Sequence, residues 1–232
     1  MQLPVLDRVF SEVDAMHRIV NGEMIHMENW KLLLQKDFPF MEQDSNDEHN
    51  LYKKWGFECS GGWYELLREC CEAIVARYAE DGIEIDDIDF EPAQIKEKFG
   101  TLRFYYGYTD EPCGIAALDN LATGESIRFE PKAEGDIDDA KAKLRQDIRS
   151  IVRTAEEKSK HTCEVCGAEG ELRNDSNVGI HWVRTLCDAC HEERIKKAIE
   201  TREKRKNMSP EDILNEIKKN IEEKKGGNKN AD

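Results

Sequence analysis

Four cysteines in two C-x-x-C pairs constrain the fold of this chain more than any other feature. The first pair is Cys163 and Cys166, and the second pair, Cys187 and Cys190, follows after twenty intervening residues. Each pair brings two thiolates to one ion, and two pairs complete a tetrahedral site with zinc–sulfur distances of about 2.3 Å. The spacing therefore predicts one zinc ion bound by these four cysteines.

The residues between the two pairs predict a zinc ribbon, in which two short strands carry the cysteine turns. We expect the strands at 171–173 and 180–184, joined by a turn at 175–179. Because four thiolates close the coordination shell, the predicted zinc is structural rather than catalytic. His191 follows Cys190 directly, and we expect it to hydrogen-bond a thiolate or to face solvent rather than to bind the metal.

Helical periodicity precedes the cysteine pairs. Apolar residues recur every three or four positions at 3–20, at 30–34 and from Trp63 to Tyr78. The last of these helices is expected to end at Asp81-Gly82, since glycine is the usual residue just beyond a helix. A further helix at 137–155, with Asp136 as its N-cap, leads towards Cys163.

Helical patterns also follow the second cysteine pair. The segment 188–207 keeps helical propensity but loses its apolar face after Ile199. Ser209 as cap and Pro210 at the first helical position predict the start of a last helix. The C-terminal part of the chain is therefore expected to be helical and largely solvated.

Alternating apolar residues predict strands in the middle of the chain. The stretch 83–90 alternates with a one-residue slip, which predicts a bent or bulged strand. Two further runs, 95–99 and 101–106, flank Gly100 and predict an antiparallel hairpin. A helix stripe and a hairpin must cover each other, so we expect one shared core of Trp63, Leu66, Leu67, Cys70, Ile74, Ile95, Leu102 and Phe104.

The expected fold class is α+β, with a small antiparallel sheet packed on helices, followed by a four-cysteine zinc ribbon and C-terminal helices. The predicted segments are an N-terminal helical extension at 1–30, an α+β body at 31–135, a connecting helix at 136–160, the zinc ribbon at 161–192 and a charged helical tail at 193–232. The end of that tail, from Gly226, is expected to be disordered.

Apolar runs in this chain are too short to cross a membrane, since the longest are only a few residues and a span needs about 20. Asp7 and Arg8 also interrupt the apolar core that a signal peptide would need. We therefore expect no membrane association and a location in the reducing cytoplasm.

Charge is distributed unevenly along the chain, whose formal net charge is −15. Residues 1–158 carry 34 acidic and 19 basic residues, whereas residues 159–232 carry 15 of each. Nucleic-acid binding depends on Lys and Arg, so the acidic part disfavours it. The candidate contacts for nucleic acid are the basic residues of the C-terminal third, namely Arg194, Lys196, Lys197, Arg202, Lys204, Arg205 and Lys206.

Five short motifs follow one another along the chain: GWYELL at 62–67, QIKEKFGTLRFY at 94–105, AEEKS at 155–159, CEVCG at 163–167 and TLCD at 185–188. In this order they resemble a family of uncharacterised proteins from phages and bacterial genomes. The resemblance extends from about Trp30 to His191. It implies a phage or prophage origin and an accessory protein that acts by binding host components.

Motifs for catalysis are missing from the sequence, which has no phosphate-binding loop, no G-x-S-x-G and no H-E-x-x-H. The leading hypothesis is therefore a non-enzymatic protein that presents its α+β body and zinc ribbon to a protein partner. The alternative is a nucleic-acid-binding regulator that uses the ribbon and the basic helix at 194–206. An enzyme built on the hairpin at 96–106 is a weaker third hypothesis.

Overall fold

The computed structural model describes residues 30–44, 46–47, 49–111, 116–119, 126–129 and 139–206, together with 208–209, 211–212, 214–215 and 218. Several predictions lie outside these residues: the helix at 3–20, the cap at Asp136, the first helical position at Pro210 and disorder from Gly226. Ser209 lies within them. Its Oγ accepts a hydrogen bond from the backbone N–H of Asp212 at 3.2 Å, as expected of an N-cap.

The described residues form an α+β fold, which confirms the predicted class. The helices are α1 (Trp30–Asp37), α2 (Leu51–Trp55), α3 (Tyr64–Glu80), α4 (Asp139–Ser159) and α5 (Asp188–Lys206). The strands are β1 (Phe57–Glu58), β2 (Phe90–Lys98), β3 (Thr101–Tyr108), β4 (Ala116–Asp119), β5 (Ser126–Phe129), β6 (Glu171–Arg173) and β7 (Arg184–Leu186). The pairs β4–β5 and β6–β7 each form a separate antiparallel sheet.

The main sheet has the order β1-β2-β3 and contains the predicted hairpin. Strands β2 and β3 are antiparallel, with Ile95 opposite Phe104. Phe99 and Gly100 form the turn between them and both have positive φ, at 53° and 77°, as a tight hairpin turn of matching twist requires. The short strand β1 joins β2 in parallel, so the sheet is mixed.

One hydrophobic core lies between this sheet and helices α3 and α4. All eight residues predicted to share a core are buried in it, which confirms that prediction. Helix α4 was predicted as a connecting helix, and it also packs into this core. Its buried residues there are Leu144, Ile148, Val152 and Ala155. The end of α4 is therefore held firmly where the chain enters the cysteine region.

The prediction of a bent strand over 83–90 is wrong. A 3-10 turn occupies Ile85–Asp87, and strand β2 begins at Phe90. Ile85 and Ile88 pack on the edge of the core while Asp86 and Asp87 are exposed, so the chain curves around the core edge. The register does shift, but between Pro92 and Gln94.

The cysteine region forms the predicted two-stranded ribbon, with its second strand displaced. The first strand, β6, lies where it was expected, whereas β7 begins at Arg184 rather than at Ile180. Thr185 and Leu186 are buried and pair with Leu172 and Glu171, while Trp182 is exposed. Burial against the rest of the protein, rather than local alternation, therefore sets the position of this strand.

Candidate metal centre

The four predicted cysteines come together at one point. The sulfur atoms of Cys163, Cys166, Cys187 and Cys190 all lie within 4.8 Å of one another, and those of Cys166 and Cys187 are 3.5 Å apart. A tetrahedral ion with metal–sulfur bonds of about 2.3 Å places its ligands at comparable separations. This cluster can therefore hold a single metal ion.

The first cysteine pair lies in a tight turn that its backbone stabilises. The Cys163 N–H donates to the Ala168 carbonyl at 2.7 Å, and the Gly167 N–H donates to the Cys163 carbonyl at 2.9 Å. Gly167 has a φ of 78°, which glycine adopts without the strain that a side chain would cause. The glycine after the second thiol thus allows the turn to close around an ion.

The second pair uses the N-terminus of helix α5. Cys187 immediately precedes the helix and Cys190 lies in its first turn. Burial opposes ionisation of Cys187, but the backbone N–H of Cys190 and the neighbouring thiols outweigh burial and lower the pKa of Cys187. A helix N-terminus favours a thiolate, the form that binds a metal. Burial and the neighbouring thiols instead raise the pKa of Cys166 and of Cys190.

Glu164 lies between the first two cysteines and joins the metal centre to the body. Its side chain is buried, and Oε1 accepts hydrogen bonds from the backbone N–H and the hydroxyl of Ser60 at 3.1 and 3.0 Å. The Gly62 N–H donates to the Glu164 carbonyl at 2.9 Å. A Cβ on Gly62 would lie 2.5 Å from the Cys163 carbonyl oxygen. The absence of a side chain at Gly62 is therefore necessary for this contact.

Further hydrogen bonds fix the ribbon on either side of this contact. The Trp63 indole donates to the Thr162 carbonyl at 2.9 Å. The hydroxyl of Thr185, on β7, donates to the carbonyl of Gly100 in the hairpin turn at 2.6 Å. The chain segments that carry both cysteine pairs are thus bonded to the α+β body, so a metal at this site would stabilise more than the ribbon.

The expectation that His191 bonds a thiolate or faces solvent is wrong. Its Nε2 shares a hydrogen bond with Oδ1 of Asp175 at 2.7 Å. Asp175 is buried and also lies 3.5 Å from Nη1 of Arg194. The loop after β6 therefore folds back onto α5, and this tertiary contact outweighs the short distance in sequence between His191 and the thiols.

The seven candidate nucleic-acid contacts are distributed around helix α5. At about 100° per residue, their positions point to all sides of the helix rather than to one face. Arg194 is partly buried, bonds Asp175 and the Trp182 carbonyl, and has its pKa lowered by burial. Lys197 lies 3.2 Å from Glu193. Contact with nucleic acid through this helix stays a prediction.

Sequence reasoning missed the residues that join the ribbon to the body. The sequence gives Glu164 no role beyond its position between two predicted ligands. It places Trp182 in a predicted strand and indicates no contact with the body. The available signal was the pair Gly61-Gly62 just before a helix, since adjacent glycines indicate close approach of another backbone. That signal locates the contact but does not identify its partner, which lies about a hundred residues away.

Comparison with known proteins gave no family model, no curated protein and no solved structure that matches the chain. Within the residues that the structure describes, no helix has both the length and the apolar character that a membrane span requires.

Proposed function

We propose that the four cysteines bind one zinc ion with a structural role. The observation that carries this proposal is the cluster of four sulfurs within 4.8 Å, supplied entirely by thiols. Zinc is the usual ion of such a site, and with four thiolates it keeps no position for a substrate or water. The zinc would hold the turn that contains Glu164 and the strand that contains Thr185 in place on the body.

The protein, on this proposal, is a non-enzymatic zinc-ribbon binding protein that acts on a protein partner. Two large apolar side chains of the ribbon support this, because Leu172 and Trp182 are 56% and 60% exposed. On this proposal the two side chains serve as anchors for the partner, since tryptophan in particular is enriched among the residues that dominate protein interfaces. The resemblance of the motifs at 62–67 and 94–105 to proteins from phages and bacterial genomes supports the further proposal of a phage or prophage accessory protein in the cytoplasm of its host.

Capture of binding partners from a bacterial host lysate, with and without nuclease, tests this function. We expect the zinc-loaded chain to retain the same proteins in both arms and Cys187→Ser to lose them. Retention that disappears with nuclease would contradict the proposal and favour the nucleic-acid-binding alternative. Titration with duplex DNA at physiological salt gives a second readout, where we expect weak binding because residues 1–158 repel phosphates.

A further inference from the structure

A groove of about 600 Å³ runs between strand β2 of the body and the ribbon. Lys96, Glu97 and Lys98 line it from the body, whereas Glu164, Trp182 and Arg184 line it from the ribbon. Glu164 lies between two of the cysteines, and Arg184 lies three residues before another. The ribbon side of this groove is therefore built from residues close in sequence to the cysteine cluster.

Trp182 is exposed and yet fixed in orientation. Its indole N–H donates to Oε2 of Glu97 at 2.6 Å, while 60% of the residue remains accessible to solvent. Oε1 of Glu97 accepts the Gly100 N–H at 2.6 Å, so the carboxylate is itself anchored. An aromatic ring that is already ordered loses little conformational freedom when a partner covers it. Trp182 therefore has the properties of a binding anchor.

Arg184 is oriented by a buried carboxylate behind it. Its Nε lies 3.3 Å from Oε2 of Glu164, whose side chain is only 1% exposed and is held by Ser60. Among the described residues, the terminal amines of Arg184 make no hydrogen bond, and its side chain is 35% exposed. A guanidinium with both terminal amines available matches the two oxygens of a carboxylate.

Each acidic residue of the groove accepts at least one hydrogen bond within the protein, and Oε2 of Glu164, which is buried without one, lies in the ion pair with Arg184. Glu58 accepts from the Gln94 side chain at 2.8 Å, and Glu97 and Glu164 accept the bonds described above. A single anionic group can therefore approach Arg184, with Lys96 and Lys98 on the opposite wall. A continuous polyanion would meet three carboxylates in the same groove, which disfavours nucleic acid here.

We propose that this groove binds an acidic side chain of a partner polypeptide, with its carboxylate on Arg184 and a neighbouring apolar side chain on Trp182. The inference rests on the proposed protein-binding function and names the site and the chemistry of the partner. Tryptophan and arginine are the residue types that most often dominate the energetics of protein interfaces. On the proposed function the groove would also depend on the metal, because a zinc ion on the four cysteines would hold the turn of Glu164 and the strand of Arg184 in place.

Selection from a random library of short peptides on the zinc-loaded, full-length protein tests this proposal. We expect the enriched peptides to carry Asp or Glu beside an apolar residue. The affinity of an enriched peptide, measured by fluorescence anisotropy, should fall about tenfold or more in Arg184→Gln and in Trp182→Ala.

The matched controls are Arg205→Gln, which removes the same charge from α5, and Trp55→Ala, which removes a tryptophan that is 54% exposed. Both controls should bind as the unchanged protein does.

Peptides enriched in Lys or Arg, no enrichment at all, or equal affinity in the groove variants and the controls would each overturn the proposal. Peptide binding that survives Arg184→Gln and Trp182→Ala but is lost in Cys187→Ser would reject the groove while leaving zinc-dependent binding intact. If Arg184→Gln fails to fold, Arg184→Lys keeps the charge and removes the planar pair of donors, and it should still weaken binding. The indole N–H resonance of Trp182, and not that of Trp55, should shift when the peptide is added.

Discussion

The backbone N–H of Gly62 donates a hydrogen bond to the carbonyl oxygen of Glu164 at 2.9 Å. This bond joins the residues just before helix α3 to the turn that carries the first cysteine pair. Gly62 can approach so closely because it has no side chain, as a Cβ there would lie 2.5 Å from both the Cys163 oxygen and the Cys166 nitrogen. The metal centre and the body are therefore parts of one packed structure.

Replacement of Gly62 by alanine should separate the ribbon from the body. The added methyl group would meet backbone atoms, which cannot move aside cheaply, and we expect a loss of stability of about 1–3 kcal/mol or more. Amide hydrogen exchange should rise at Glu164 and Thr185, whose backbone N–H groups lie in or near the contact. Gly82→Ala is the control, because nothing lies within 4 Å of its Cβ and the strain of its φ of 75°, about 1–2 kcal/mol, is far from the ribbon. Equal exchange at Glu164 in the two variants would show that the Gly62 contact is unimportant.

Truncation of a core side chain should lower the free energy of unfolding, whether the residue lies on helix α3 or on strand β3. Leu67 on α3 and Phe104 on β3 are both fully buried, and their replacement by alanine should lower the free energy of unfolding by about 2–5 kcal/mol each. Denaturant titration measures this change. Leu32→Ala is the matched control, since Leu32 is 63% exposed and its loss should cost within about 0.5 kcal/mol. Unchanged midpoints for Leu67→Ala and Phe104→Ala would contradict the described packing.

The buried thiol of Cys70 should make stability fall at high pH. Burial, with a contribution from Glu156, raises the pKa of Cys70 to about 12. The folded protein thus keeps this proton above pH 9 whereas the unfolded chain loses it, so the free energy of unfolding decreases as pH rises from about 9 to about 12. The slope for one such group is about 1.4 kcal/mol per pH unit.

Denaturant titrations at several pH values between about 8 and 11 measure this slope. Cys70→Ala removes the titrating group from both states and should show a shallower decline than the unchanged protein. Identical slopes in the two proteins would mean that Cys70 ionises equally in the folded and unfolded chains.

Features that depend on local sequence were predictable. Helix α3 follows from its apolar stripe and Gly82, the hairpin from alternation around Gly100, and the cysteine cluster from its spacing, since each pattern lies within a short stretch of chain. Features that depend on contacts between distant parts of the chain were not predictable from the sequence. The strand expected at 83–90 is instead a turn at the core edge, and β7 begins at Arg184 because Thr185 and Leu186 are buried.

The partners of the candidate site belong to this second group. His191 bonds Asp175, and Glu164 bonds Ser60 across about a hundred residues. Neither pairing has a period or a spacing that sequence analysis can detect. They depend on how the ribbon lies on the body, which is a property of the whole packed structure.

The metal content of the purified full-length protein tests the central claim most directly. Elemental analysis should find one zinc ion per chain in the unchanged protein and in Cys59→Ser, whose thiol lies outside the cluster. Cys187→Ser should lose the zinc, and because zinc binding contributes about 10–16 kcal/mol of folding free energy in comparable peptides, the ribbon should lose its amide protection as well. A protein without stoichiometric metal, a protein that contains iron instead, or a Cys187→Ser variant with unchanged zinc would contradict the account.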